Sequence, residues 1–191
     1  MPSFAEITTV RYYTPVRWLL LIYSVPAEPS RKRAWVWREI RRAGAVYLRD
    51  GVCVLPQTET NESAFDALAQ RIVEFEGRAT VVKHAVLDAA AVEEVTAHMR
   101  AARADEYAAV REDTHAFLEH IRRETAHRDL SPAELKELGA DLTKVQRWYG
   151  KVRRRDHLNA GGHEGIDELL LGCEEALSRL IDASARGAAP R

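Results

Sequence analysis

The residues with the clearest chemical content are Arg31, Lys32, Trp35, Arg38, Arg41 and Arg42. On a helix, Arg31, Trp35, Arg38 and Arg42 fall at i, i+4, i+7 and i+11, nearly a straight line. An indole among guanidiniums suits a phosphate backbone with a stacked or wedged base. The same run also reads as a solvated basic face on which Trp35 covers a neighbouring element.

A second cluster sits later in the chain. Glu106 and Asp113 interrupt one apolar helical stripe seven residues apart, while Arg147, Lys151 and Arg154 share one side of the next helix with Trp148 beside them. Helical phasing turns the two sets toward each other. Ion pairs that fix the helix register are one account, since unpaired carboxylates in a seam are costly. An oxyanion pocket is the other, because forked guanidinium donors match a tetrahedral dianion.

The remaining candidates point away from catalysis. His115 and His120 are five apart and diverge by about 140° on a helix, so they make no metal pair. His157 and His163 bracket a Gly-Gly pair, and His163-Glu164 lacks metalloprotease spacing. Cys53 and Cys173 form no metal or redox motif, which points to a reducing compartment and to small core residues. Walker, GxGxxG and GxSxG patterns are missing from the sequence. We expect a non-enzyme with no cofactor and no metal.

Composition sets the frame. The chain has 191 residues, 46% of them hydrophobic, enough for a real core. Its 28 basic and 29 acidic side chains nearly cancel. That neutrality hides local excess: residues 30–49 carry seven cations against Glu39, and residues 144–155 carry six and no acid. A neutral chain with two basic patches can bind an anion locally without coating every polyanion. The longest apolar run is Trp18–Ile22, far too short for a membrane span, and no signal peptide is evident, so a cytoplasmic location without membrane contact is expected.

The elements that would position these residues follow from periodicity. The first fifteen residues, with Tyr12, Tyr13 and Pro15, read as a tail or an extra edge strand. Residues 17–25 form a continuous apolar run and a buried strand. Ser30 caps a helix over 31–43 whose inward stripe is Val36, Trp37, Ile40 and Ala43, and Gly44 closes it. Asp50-Gly51 joins two short strands as a hairpin. A helix begins at Thr60 or Asn61, runs through Phe75 and ends at Gly77, and a last strand covers 79–87. The order is βαββαβ, a ferredoxin-like domain over 16–88 with both helices on one face of an antiparallel sheet.

From Asp88 onward the pattern is helical. Val92, Val95, Met99, Ala102, Val110, Phe117 and Ile121 predict one long helix to His127. Ser131-Pro132-x-Glu134 opens a second with the stripe Leu135, Leu138, Leu142, Val145, Tyr149, Val152. A third, after Gly161-Gly162, carries Ile166, Leu169, Cys173, Ala176 and Leu180, and the tail after Ala185 is expected to fray. The fold class is α+β, with an antiparallel three-helix bundle over 89–186.

Two resemblances attach to quoted stretches. Leu21–Pro26, the Arg31–Arg42 helix and the Asp50–Pro56 hairpin resemble small ferredoxin-like CRISPR-associated nucleases and the matching domain of PaaX-type repressors. Those nucleases place a metal-binding aspartate where this chain has Ser24, and a hydroxyl does not replace a carboxylate toward a hard cation. A metal-dependent nuclease is therefore disfavoured.

The broader resemblance, from Arg17 to Ile181, is to the N-terminal domain of the ChrB family of chromate-resistance regulators. It rests on Trp18–Pro26-x-x-Pro29-Ser30, Val36-Trp37-Arg38, Gly44-Ala45, Val54-Leu55-Pro56, Asp105-Glu106-Tyr107 and Arg147-Trp148-x-x-Lys151-x-Arg153-x-Arg155-Asp156. It implies a DNA-binding transcriptional regulator of bacterial chromate export, with operator DNA and chromate or another oxyanion as partners. Dimerisation through a sheet edge is a further expectation. Such regulators usually continue into a second chromate-resistance domain, and the 191 residues stop before one, so a stand-alone form, one half of a split protein whose partner carries that domain, and a homologue with another trigger are all open expectations. An oxyanion-responsive accessory protein that acts through a protein partner without touching DNA is the alternative.

Overall fold

The computed structural model describes residues 17–127 and 131–187. The expected N-terminal tail or edge strand lies outside them. The order is β1 (Trp18–Ser24), α1 (Ser30–Ala43), β2 (Val46–Arg49), β3 (Val52–Pro56), α2 (Glu59–Glu74), β4 (Arg78–Ala85), α3 (Ala89–His127), α4 (Pro132–Arg155) and α5 (Ile166–Gly187). Two compact units result: among the described residues, one comprises 17–36 together with Tyr47–Asp88, the other Trp37–Val46 together with 89–127 and 131–187. The division falls inside α1.

In the first unit a four-stranded antiparallel sheet has the order β2-β3-β1-β4, the ferredoxin-like order, and the class is α+β as expected. β1 sits centrally because it is apolar on both faces. Leu19 and Leu21 pair with Leu55 and Cys53, and all four side chains are fully buried. Asp50-Gly51 makes the hairpin turn, with Gly51 at φ 70° and its carbonyl accepting from Tyr23 N at 2.7 Å. α2 is capped two to three residues earlier than expected, by Thr58, whose hydroxyl accepts from Asn61 N at 3.1 Å. Asn61 is instead a buried tie, its amide donating to Pro56 O at 2.8 Å.

The end of α2 differs in mechanism from the glycine stop that the sequence suggests. Glu76, not Gly77, takes the left-handed conformation, at φ 66°. Gly77 is required because a Cβ there would lie 2.5 Å from Ser24 O. Ser30 is likewise the first residue of α1 rather than its cap, and Lys32 N bonds to Pro29 O at 3.0 Å.

In the second unit α3, α4 and α5 bury a common core of Tyr107, Val110, Phe117, Ile121, Leu138, Leu142, Tyr149, Val152, Ile166, Leu170, Cys173, Leu177 and Leu180. The start of α4 is as expected: Ser131 and Glu134 form a reciprocal capping box, with Pro132 opening the helix. α5 runs through Gly187, past the point where fraying was expected, and buries Leu170 and Leu177 rather than Leu169 and Ala176.

The stripe on α3 departs from expectation. Its buried line passes through Val95, Met99, Arg103, Tyr107, Val110, Thr114, Phe117 and Ile121. Both this line and one through Ala102 and Glu106 satisfy three- and four-residue spacing. The small apolar Ala102 favoured the second in sequence. The large ring of Tyr107 decides for the first, because it buries far more apolar area than an alanine.

Candidate nucleic-acid interface

On α1, Val36 and Ile40 are buried and Ala43 is half-buried. At 100° per residue, Trp37, Arg41, Arg38, Arg31 and Arg42 occupy roughly 140° of the opposite side. All five are exposed. The expected inward position of Trp37 is therefore overturned: its indole is 48% exposed and Arg41 stacks over it at 4.8 Å. Its large apolar area would favour burial, but its phase on the helix points it away from Val36 and Ile40.

Lys32 and Trp35 sit on the flank of that face and are tied to the end of α2. Trp35 is half-buried, edge to face with Phe75 at 5.4 Å, and Arg71 lies 5.8 Å from the indole. Lys32 Nζ donates to Phe75 O at 3.2 Å and to Glu76 at 3.0 Å. Both side chains are thus held by the fold. Arg42 pairs with Glu39 at 2.6 Å yet remains largely exposed. Arg31, Arg33 and Arg38 meet no acidic partner among the described residues.

The electrostatics of α1 are unusual for a helix stabilised by its own charges. Its first turn holds Arg31, Lys32 and Arg33 and no acid. Cations there oppose the helix dipole, at about 0.3–1 kcal/mol each when exposed. Arg41 and Arg42 in the last turn favour the dipole.

The second cluster is arranged differently from its sequence phasing. Glu106 Oε2 accepts from Arg155 at 2.9 Å and lies 2.7 Å from Arg103 Nη1. Asp113 is exposed, one residue before the buried Thr114. Arg147, Lys151 and Arg154 are also exposed, within about 60° of one another on the side of α4 opposite Leu142, Tyr149 and Val152. They line a shallow groove of about 330 Å³ with Thr143, Gln146 and Gly150. The expected facing of Glu106 and Asp113 on Arg147, Lys151 and Arg154 is thus corrected. The acid–base contact exists, but through Arg155 and Arg103, because the true α3 stripe is rotated by one residue. Trp148 is half-buried at the edge of the helical core.

Arg103 is the residue that sequence reasoning missed. It is only 8% exposed, and burial pushes its guanidinium below the usual range while Glu106 opposes that shift. Tyr107 beside it donates to Asp156 at 3.1 Å, and burial raises its phenol. The histidines go to separate places. His157 Nε2 is 2.9 Å from Ala43 O, and the His163 ring lies 5.7 Å from that of Tyr107.

Neither thiol is set up as a nucleophile. Burial pushes Cys53 up to about 12 and Cys173 up to about 11. Among the described residues no three His, Cys, Asp or Glu side chains gather as a metal set, and no helix is long and apolar enough to cross a membrane.

A family model described as "Protein ChrB, N-terminal" matches residues 33–186, most of the chain, beginning inside α1 and ending in α5. No curated protein and no solved structure matches.

Proposed function

The chain belongs to the ChrB N-terminal family, associated with chromate-resistance regulation, and from that premise we propose that it is a DNA-binding, non-enzymatic transcriptional regulator. The observation that carries the DNA reading is the charge on α1. Helix stability accounts for cations in a last turn, as at Arg41 and Arg42. It does not account for Arg31 in a first turn without an acid, nor for Arg38 at mid-helix. A polyanion laid along this face supplies the missing counter-charge. Trp37 and Arg41 offer a stacking surface in its midst.

The effector under this reading is chromate or a related oxyanion, and the site of action is the cytoplasm. The nuclease alternative is weakened at Ser24, which ends β1 as an exposed hydroxyl where a metal-binding carboxylate would be needed.

Fluorescence anisotropy of a labelled duplex from the promoter of a chromate-resistance operon tests the proposal. The full chain should bind in a salt-dependent manner, chromate should weaken that binding, and the duplex should stay intact in Mg²⁺. Absence of binding at low salt contradicts the DNA reading and leaves the accessory-protein alternative. Cleavage lost in Ser24→Ala contradicts the non-enzyme reading.

A further inference from the structure

We infer that the outer faces of α1 and α4 form one continuous track for the sugar–phosphate backbone of a duplex, joined at His157. The inference rests on the DNA reading above and adds a second half to the binding surface.

The second unit contains both Trp37–Val46 and α4. Directly after α4, His157 Nε2 meets Ala43 O, the last carbonyl of α1, at 2.9 Å. The next residue, Gly44, has φ 78°, and a Cβ on it would lie 3.1 Å from both Cβ and the carbonyl of Arg155. The C-terminal ends of α1 and α4 therefore touch, and each helix carries an exposed basic face within about two turns of that contact.

Lengths follow from helical rise. Arg38 lies about 7 Å back along α1 from Ala43, and Arg147 about 12 Å back along α4 from Arg155, at 1.5 Å per residue. Laid end to end the two arms reach at most about 20 Å, or roughly six base pairs at 3.4 Å each. Along this length stand Arg38, Arg41, Arg42, Arg154, Lys151 and Arg147, all exposed. Arg42 alone has an acidic partner, Glu39, among the described residues.

The converging dipoles explain part of this charge. Two helix C-termini at one point concentrate negative potential, and Arg41, Arg42 and Arg154 offset it. Lys151 and Arg147 lie one and two turns further back, beyond the reach of that effect. They line the groove with Gly150, against which the Arg154 guanidinium lies, its Nη1 3.6 Å from where a Cβ would stand. A shallow cationic groove fits a backbone. A compact anion would need enclosing walls.

The test uses the full chain, a nonspecific 20-base-pair duplex and salt titrations of affinity. Two triple variants neutralise one arm each: Arg38→Gln/Arg41→Gln/Arg42→Gln and Arg147→Gln/Lys151→Gln/Arg154→Gln. Each should weaken binding at least tenfold and reduce the salt slope by about 2–3, at roughly 0.9 for every phosphate left without its cation. His157→Ala leaves all six arginines and lysines of the track in place, yet should weaken binding about threefold to tenfold by freeing the junction, with His157→Gln restoring most of it.

An α4 triple that binds within twofold of wild type, while the α1 triple loses affinity, overturns the continuous track and leaves the DNA reading standing. A wild-type protein with no salt-dependent binding removes both.

Discussion

Replacing Glu106 by glutamine isolates the polar contact between α3 and α4. Glu106 Oε2 is shared by Arg155 at 2.9 Å and Arg103 at 2.7 Å, and the side chains are 28%, 18% and 10% exposed. An amide keeps the shape and one acceptor but removes the charge that balances two guanidiniums. Breaking a fully buried pair costs about 3–5 kcal/mol, and a surface pair about 0–1. Glu106 lies between those limits, and water at its exposed edge replaces part of the missing interaction, so a cost of about 2 kcal/mol is expected. For a chain of this size that lowers the melting temperature by about 4–8 °C. Circular dichroism melts, paired with urea unfolding, read it. Arg147→Gln and Arg154→Gln serve as controls and should shift stability by less than about 0.5 kcal/mol, since both are exposed. A Glu106→Gln protein melting with wild type, beside a destabilised Arg147→Gln, would refute the pairing and restore the phasing that the sequence suggested.

Two tryptophans on one helix should separate stability from binding. Trp35→Ala removes the ring that packs on Phe75 and Arg71 and should cost about 2–3 kcal/mol in urea unfolding. Trp37→Ala should leave stability within about 0.5 kcal/mol, because its ring is half exposed. If a base stacks on it, that same change should weaken DNA affinity by about 1–3 kcal/mol. The start of α4 should respond to acid: the Ser131 amide and hydroxyl hold the Glu134 carboxylate below its usual range. A depressed native pKa means that the stabilisation is complete above the ordinary carboxylate value of about 4.3 and is lost as pH falls through the lower, native one. Amide exchange in the first turn of α4 should therefore quicken over that interval, and in a Ser131→Ala protein, which keeps the backbone donor but loses the hydroxyl, the transition should be smaller and lie closer to the ordinary carboxylate range.

Elements with unambiguous local signals were legible in the sequence. The unbroken Trp18–Ile22 run could satisfy only a central strand, and Asp50-Gly51 only a tight turn. Ser131-Pro132-x-Glu134 named its own cap. Where two phases both satisfy the period, composition chose wrongly. Ala102 is apolar and Arg103 is charged, yet the helix turns to bury the Tyr107 ring, and Arg103 goes in with it because Glu106 meets its charge. Trp37 failed for the opposite reason. An indole reads as core, but around α1 it stands about 100° from Val36 and 60° from Ile40, outside the buried stripe. The seat of His157 on Ala43 spans 114 positions and leaves no periodic trace, so only the folded chain reveals it.

The central claim is that the outer face of α1 binds the phosphate backbone of DNA. Its most direct test is the salt dependence of duplex affinity for the wild type and for Arg31→Glu/Arg38→Glu/Arg42→Glu, on operator and unrelated duplexes alike. The account predicts weaker binding on every sequence and a slope flattened by about 2–3, because each phosphate left without its cation removes roughly 0.9. Unchanged affinity and slope in the variant would contradict it.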